Sequence, residues 1–245
     1  MARCPFAQQR ILPENATQAK ITPRAVILHT AVDGPGDTDL AAYFGQSSVK
    51  AESHFYVTRR GVIVQMMDTG VEADANGTAD KWAISVETED DSAPGPRIAP
   101  WNQAQLDALV RLVDWCCATH NIPRARCTSA KLPGAAGIGC HSQPMRERFD
   151  GTAHNPWTAY QGKTCPGDER WQQYPTIVAR VAAMASPNPP TEDVMTPAQE
   201  KKLDDLAAEV ARVARLVDAL AVGPGWGHRE GTLPMLQRVV KKLGA

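Results

Sequence analysis

The pattern of hydrophobic and polar positions predicts several β-strands in the first half of the chain. Residues 25–28 (AVIL) are continuously apolar, which is typical of a strand buried on both faces, and this run leads directly into His29. Residues 53–58 and 62–66 flank the short turn sequence RRG and predict a β-hairpin. Residues 82–88 (WAISVET) alternate between apolar and polar positions, as a strand with one buried face does.

Helical periodicity appears between and after these strands. Residues 102–119 carry apolar side chains at helical spacing, and Asn102 is a residue type that caps helix N-termini. Shorter helices are predicted for residues 38–44 and 171–184. Residues 120–163 form a long segment rich in glycine, proline and arginine, and a predicted loop of that length is usually functional. This part of the chain therefore has mixed α and β character.

A proline-rich stretch at residues 186–197 marks the clearest domain boundary. Four of its twelve residues are proline, which is typical of a stiff linker. The linker separates a domain over residues 1–185 from a helical segment over residues 198–245, where apolar residues recur three and four positions apart as in a coiled coil. These residues are Leu203, Leu206, Val210, Val213, Val217 and Leu220, followed in a second short helix by Leu233, Leu236, Val240 and Leu243.

Three arrangements are open for residues 198–245. The two helices could pack on each other as a hairpin, associate with other copies into a homo-oligomer, or dock on the first domain. An apolar stripe of this length needs a partner, and the stiff linker favours one other than the first domain. We therefore expect the full chain to self-associate, and a chain ending near Pro187 to be monomeric.

Composition and charge exclude several classes of protein. Hydrophobic residues make up 43% of the chain and charged residues 22%, as in a folded globular protein. The net charge of −1 gives no basic surplus for binding nucleic acid. No apolar run approaches the ~18 residues of a membrane span, so we expect no membrane insertion. The first residues (MARCPFAQQRILPEN) contain no apolar segment of the secretory type, so the chain is expected to be synthesised in the cytoplasm without a signal peptide.

The six cysteines are too few for a disulfide scaffold and form no CxxC pair. Cys116 and Cys117 lie in the apolar helical run and are expected to be core residues. Cys127 and Cys140 flank a glycine-rich loop and could pair under oxidation, which the sequence does not decide. Cys165 differs, because it lies in a turn (GKTCPGD) two residues after a lysine, whose positive charge favours the thiolate.

Two histidines complete a set that could hold a metal ion. His29 ends the buried strand, and His141 lies in the long glycine-rich segment. With Cys165 they would suit a catalytic zinc ion that keeps an open fourth position. A histidine at a strand end is also often purely structural. The spacing alone therefore leaves open whether His29 is a metal ligand or a structural residue. The chain has no HExxH motif, no GxSxG motif and no phosphate-binding loop.

Four segments in order give a specific resemblance. VILHTA, ESHFYVTRRGVIVQ, WAISVETED and GKTCPGD resemble the type 2 family of zinc-dependent N-acetylmuramoyl-L-alanine amidases, which is related to the peptidoglycan-recognition proteins and common among phage endolysins. The resemblance covers roughly residues 20–185. It implies a central mixed β-sheet flanked by helices, with Zn²⁺ in a groove on its face. It also implies that the ligands are His29, His141 and Cys165, with His154 as the rival to His141.

The resemblance further implies the catalytic groups. Glu87 in AISVET matches the family's catalytic glutamate, which would move a proton from the attacking water to the departing L-alanine nitrogen. Lys163 matches the lysine of the KTCPG turn and would stabilise negative charge on the carbonyl oxygen. Some members use a tyrosine just before the hairpin's HF pair, where this chain has Ser53, so the glutamate variant is expected.

Substrate contacts are less defined. His54 on the hairpin could line the groove or pack beneath it, and Asn76 is a candidate for contacting the stem peptide. The segment EADANG replaces an aromatic-containing segment of the family. Trp115, Trp157 and Trp171 are expected in the core or at the rim rather than as sugar platforms.

The predicted function is hydrolysis of the amide bond between N-acetylmuramic acid and L-alanine in bacterial peptidoglycan. The expected context is a phage endolysin that reaches the cell wall after release through a pore made by another protein. Residues 198–245 would then bind walls or form oligomers. The alternatives are a non-catalytic peptidoglycan-binding module of the same fold and an assembly protein with a vestigial first domain. Binding-only relatives usually lose a zinc ligand, whereas this chain keeps Cys165 and Lys163.

Overall fold

The computed structural model describes most of the first domain. The described residues are 2–31, 39–90, 98–151, 154–158, 161–162, 164–185 and 212. The chain divides into two compact units, Met1–Pro189 and Pro190–Ala245, and all described residues except Arg212 lie in the first unit. Arg212 itself is helical. The predicted linker and the heptad residues lie outside the described residues, so the domain boundary and the role of the tail remain predictions.

A mixed β-sheet forms the centre of the first unit. In the described part of the chain its six strands lie in the order β1-β4-β3-β5-β2-β6. The antiparallel pair β3 and β4 is the predicted hairpin, and the other neighbouring pairs are parallel. The strands are β1 (Gln8–Gln9), β2 (Ala25–Leu28), β3 (Phe55–Val57), β4 (Ile63–Gln65), β5 (Ala83–Thr88) and β6 (Gly137–Cys140).

Four α-helices accompany these strands in the described residues. They are α1 (Leu40–Phe44), α2 (Gln103–His120), α3 (Gln143–Arg146) and α4 (Asp168–Met184), with short 3₁₀ turns at Pro13–Ala16, Gly77–Ala79 and Phe149–Gly151. The predicted cap of α2 is confirmed, because the Asn102 side chain accepts a hydrogen bond from the Gln105 backbone and the Gln105 side chain accepts one from the Asn102 backbone. No helix in these residues is long and apolar enough to cross a membrane.

One face of the sheet is covered by α2 and α4, and the main core lies there. Strand residues that point to this face include Val26, Leu28, Ile84 and Val86, all fully buried. They pack against Leu109 and other apolar residues of α2, among them Cys116 and Cys117 as expected, and against Tyr174, Ile177 and Val181 of α4. We call this the helical face.

The opposite face carries a cleft, and we call it the cleft face. Ala25, Ile27 and Ala83 point to this side and form a minor core with Trp157. Gly139 of β6 lies against the Trp157 ring, and a Cβ atom there would come within 3.2 Å of that ring. A glycine therefore lets Trp157 pack directly on the strand.

The predicted fold class, a mixed sheet flanked by helices, is confirmed, but two strands lie where none is expected. β6 falls within the segment predicted as a long loop, because two glycines in GIGC hide the apolar pattern of a strand. β1 is only two residues long and both are exposed glutamines. Cys127 and Cys140 are both free thiols, which answers the question of their pairing for this structure.

Candidate metal centre and cleft

The register of three parallel strands brings three predicted site residues into one row. Leu28 of β2 lies beside Val86 of β5 and Cys140 of β6. The next residue on each strand is His29, Glu87 or His141, and the ladder continues through them. Because side chains alternate along a strand, these three point to the cleft face while their predecessors point to the helical face.

Cys165 joins this row from the turn that precedes α4. The Ser142 backbone N–H donates to the Cys165 carbonyl at 2.9 Å, which ties the turn to the end of β6. The Thr30 backbone N–H donates to the Cys165 Sγ atom at 3.3 Å, which ties it to the end of β2. As a result, one donor atom each from His29, His141 and Cys165 lies within 4.8 Å of the others.

Hydrogen bonds to the far side of each imidazole ring select its tautomer. His29 Nε2 lies 2.7 Å from Asn76 Oδ1, and His141 Nε2 lies 2.6 Å from the Trp157 carbonyl oxygen. Since a carbonyl oxygen only accepts, each Nε2 carries the proton and each Nδ1 presents its lone pair. Partners of this kind orient histidine ligands in metalloproteins.

These donors fit a zinc ion. Two neutral imidazoles and a cysteine sulfur form a borderline-soft set that suits zinc and does not suit calcium or magnesium, which take oxygen ligands. His29 and His141 are 2% and 5% exposed, whereas Cys165 is half-buried. Three protein ligands beside an open cleft match a catalytic site rather than a closed structural one.

Glu87 lies beside this donor set. Its Oε1 is 3.7 Å from His29 Nδ1, and its side chain is 14% exposed and lines the cleft. A carboxylate in that place can accept a proton from a water molecule in the cleft and later donate it to a substrate atom. Glu87 and the donor set are therefore placed to act on the same bond.

The cleft has a volume of about 1110 Å³ and extends from the donor set towards α1. Besides Glu87, its lining includes the acidic residues Glu52, Asp74 and Asp80. Burial raises the pKa of Asp80 to about 7, although the Asn76 and Ala75 N–H groups that donate to it act in the opposite direction. Burial, followed by the charge of Asp74, also raises the pKa of Glu52.

Other predicted site residues lie elsewhere. His154, the rival ligand, is exposed and is absent from the described lining of the cleft. Lys163 lies outside the described residues, so its predicted role is untested. Trp157 is fully buried under His141, while Trp115 and Trp171 are partly buried against the main core.

His54 and Asn76, the candidates for substrate contact, are fully buried beneath the cleft. His54 Nε2 donates to the Val71 carbonyl at 2.9 Å, and its Nδ1 accepts from the Ser85 N–H at 3.1 Å. Burial lowers the pKa of His54 to about 4, so the ring is neutral at pH 7. Because both side chains are fully buried, neither is placed to contact a substrate directly. Asn76 instead accepts a hydrogen bond from His29.

Several groups that orient the donor residues are not predicted from the sequence. The Trp157 carbonyl that orients His141 is a backbone atom, and nothing in the sequence marks it. Thr30, Thr88 and Arg170 form a buried network behind the donor set. A signal for Thr30 exists in hindsight, since it directly follows His29 and continues the alternation of β2.

The chain is similar to known proteins in sequence and in fold. The family model described as N-acetylmuramoyl-L-alanine amidase matches residues 19–168. A solved mutant form of PlyL is 16% identical, with 72% of this chain and 98% of that chain covered and a TM-score of 0.50, which shows a shared fold. No curated protein matches the chain closely enough to add to these comparisons.

Two further solved structures are similar. A mutant endolysin from Bacillus subtilis is 20% identical, with 73% of this chain and 98% of that chain covered and a TM-score of 0.49. The amidase LysC from Clostridium intestinale is 16% identical, with 70% of this chain and 97% of that chain covered and a TM-score of 0.44.

Proposed function

The chain belongs to the N-acetylmuramoyl-L-alanine amidase family and is a peptidoglycan amidase, and we propose that it works with a zinc ion held by His29, His141 and Cys165. One observation carries the proposal: a donor atom from each of these residues lies within 4.8 Å of the others, on the floor of an open cleft. A bound zinc ion would supply Lewis-acid chemistry, drawing electron density from the amide carbonyl.

Glu87 would transfer the proton in this reaction. An amide nitrogen is a poor leaving group unless it is protonated. Glu87 would accept a proton from the attacking water and deliver it to the nitrogen of L-alanine, so that the carbon–nitrogen bond breaks and a free amine leaves. The position of its carboxylate beside His29 supports this role.

Lys163 keeps its proposed role as the group that stabilises negative charge on the carbonyl oxygen. The support is its place in the KTCPG turn, two residues before Cys165. We expect Lys163→Ala to keep zinc and to lose activity by about 10²–10³-fold, as the loss of an oxyanion donor does.

Zinc content and product analysis test the main proposal. The full chain should hold one zinc ion, and digestion of purified cell walls should release free L-alanine amino termini without new reducing sugar ends. Cys165→Ser should lose most of the zinc, because a neutral hydroxyl is a far poorer ligand than a thiolate. His141→Ala should also lose zinc, whereas His154→Ala should keep it. New reducing ends, or full zinc occupancy in Cys165→Ser, would overturn the assignment.

The biological setting is proposed from the sequence resemblance. We propose that the enzyme is a phage endolysin made in the host cytoplasm that attacks the wall after release. Expression with and without a pore-forming phage protein tests this: lysis should require the pore. Wall binding by the purified chain without hydrolysis would instead favour the non-catalytic module.

A further inference from the structure

A buried arginine stands behind the candidate metal centre, on the helical face. Arg170 of α4 is fully buried, and its Nη2 atom lies 3.6 Å from Asp90 Oδ1. Its Nε donates to the Ala99 carbonyl at 2.8 Å and its Nη2 to the Glu89 carbonyl at 2.8 Å. These bonds fix the guanidinium and leave Nη1 directed at two threonine hydroxyls.

Each hydroxyl links this arginine by hydrogen bonds to a segment that carries a metal-donor residue. Arg170 Nη1 donates to Thr88 Oγ1 at 2.7 Å, and Thr88 Oγ1 donates to the His29 carbonyl at 2.6 Å. The same Nη1 donates to Thr30 Oγ1 at 2.9 Å, and Thr30 Oγ1 donates to the Pro166 carbonyl at 2.8 Å. One arm therefore ends at His29 and the other ends next to Cys165.

Thr30 makes two independent contacts with the Cys165 turn. Its hydroxyl holds the Pro166 carbonyl, and its backbone N–H donates to Cys165 Sγ at 3.3 Å. Residues 30 and 165 are 135 positions apart in the chain, so local chain geometry does not bring them together. Together with the Ser142 N–H, which donates to the Cys165 carbonyl at 2.9 Å, these contacts attach the Cys165 turn to the strand ends.

We propose that Thr30 is a positioning residue that, held by Arg170, fixes the Cys165 turn against His29 so that the metal donors are preorganised. The inference rests on the proposed zinc site. Groups that orient metal ligands typically contribute 10–100-fold to metal affinity or activity. Thr30 also lines the cleft, but its hydroxyl is occupied by Arg170 Nη1 and the Pro166 carbonyl, so the residue acts through the Cys165 turn and not on the reacting bond.

The test compares two substitutions that remove the same kind of group. Thr30→Val keeps the backbone N–H and removes a hydroxyl with two partners. Thr69→Val is the matched control, because Thr69 is fully buried and its hydroxyl also has two partners, the Ala2 carbonyl at 3.1 Å and His120 Nε2 at 2.8 Å. Thr30→Ser restores the hydroxyl. All variants are made in the full chain.

Three readouts separate a positioning role from a purely structural one. Competition with a chromophoric chelator gives zinc affinity, and the thiolate-to-metal charge-transfer band of the Co²⁺-loaded protein reports on Cys165. Melting of the metal-free protein gives stability. We expect Thr30→Val to lose 10–100-fold in zinc affinity and to weaken the charge-transfer band, with Thr30→Ser close to wild type. Both valine variants should melt at similarly lowered temperatures.

Equal zinc affinity in Thr30→Val and wild type would overturn the positioning role. The proposed function would still be supported in that case if the wild-type protein binds zinc and cleaves cell walls. Equal loss of affinity in Thr30→Val and Thr69→Val would also overturn it, because the effect would then follow general stability. A wild-type chain that binds no zinc would overturn both proposals together.

Discussion

The two faces of the sheet are made by the same strands and differ in chemistry. On the helical face, apolar side chains such as Val86 pack against α2 and α4. On the cleft face, one residue further along the same strands, buried polar groups such as His29 and His141 are held by specific hydrogen bonds. The first face gains stability from buried apolar area, and the second holds reactive groups in place.

Residues that stabilise the core and residues that line the cleft alternate along the same strands. Val86 and Glu87 are neighbours in sequence, yet one belongs to the core and the other to the cleft. Arg170 is the exception, because it lies on the helical face and is linked through the Thr30 and Thr88 hydroxyls to the segments that carry the donors. Variants on each face should therefore change different measurable quantities.

The largest effect is expected from Glu87→Gln. The amide keeps the shape of the side chain and cannot accept the proton, so activity should fall about 10²–10⁴-fold with zinc content and melting temperature nearly unchanged. Hydrolysis of cell walls measures the activity. Glu72→Gln is a matched control, since it removes the same charge at a position outside the described cleft lining. Near-normal activity in Glu87→Gln would assign the base to another group.

The opposite pattern is expected on the helical face. Leu109 of α2 is fully buried in the main core, so Leu109→Ala should lower the free energy of unfolding by about 2–5 kcal/mol. Urea titration measures the loss. Zinc affinity and activity of the folded protein should stay at the wild-type level. If the fully folded Leu109→Ala variant lost activity, the helical face would contribute to catalysis as well as to stability.

A smaller effect should follow from Asn76→Ala. Without the Asn76 oxygen, His29 loses the bond that selects its tautomer, and zinc affinity should fall about 10–100-fold. Asn76→Asp keeps an acceptor for His29 and should retain more affinity than the alanine variant. Chelator competition measures both. Unchanged affinity in Asn76→Ala would limit Asn76 to packing.

The smallest effect concerns acid stability. Burial lowers the pKa of His54 from 6.5 to about 4, so the unfolded chain binds this proton more readily than the folded chain. Stability is then lost as the pH falls below 6.5, by about 1 kcal/mol between pH 7.5 and 5.5. His54→Gln should lack this component when urea titrations at the two pH values are compared. An identical pH dependence in the variant would exclude His54 as its source.

Much of the fold follows from local patterns. The buried strand before His29, the hairpin and the capped helix α2 are all predicted to within a few residues, because alternation and capping are local signals. Strand β6 is not predicted, since Gly137 and Gly139 conceal its apolar pattern, and of the two Gly139 makes room for the Trp157 ring. α4 begins three residues before the predicted start at residue 171, after the turn of Cys165.

The candidate site is likewise predicted only in part. Side chains that carry chemistry, such as His29, Glu87 and Cys165, stand out in the sequence once the resemblance is considered. Their supports do not, because those supports are backbone carbonyls and hydroxyls brought close only by the fold. The register makes the difference: a single step along three parallel strands aligns His29, Glu87 and His141, and sequence alone does not give strand order.

The position of Arg170 near the end of the folded domain has a consequence for biosynthesis. The chain leaves the ribosome from its N-terminus, so His29 emerges well before α4. A nascent chain that has passed Cys165 carries the three donors but lacks the residue that fixes two of their segments from behind. On the proposed roles of Thr30 and Arg170, completion of the metal centre would await the docking of α4, after all three donors have been synthesised.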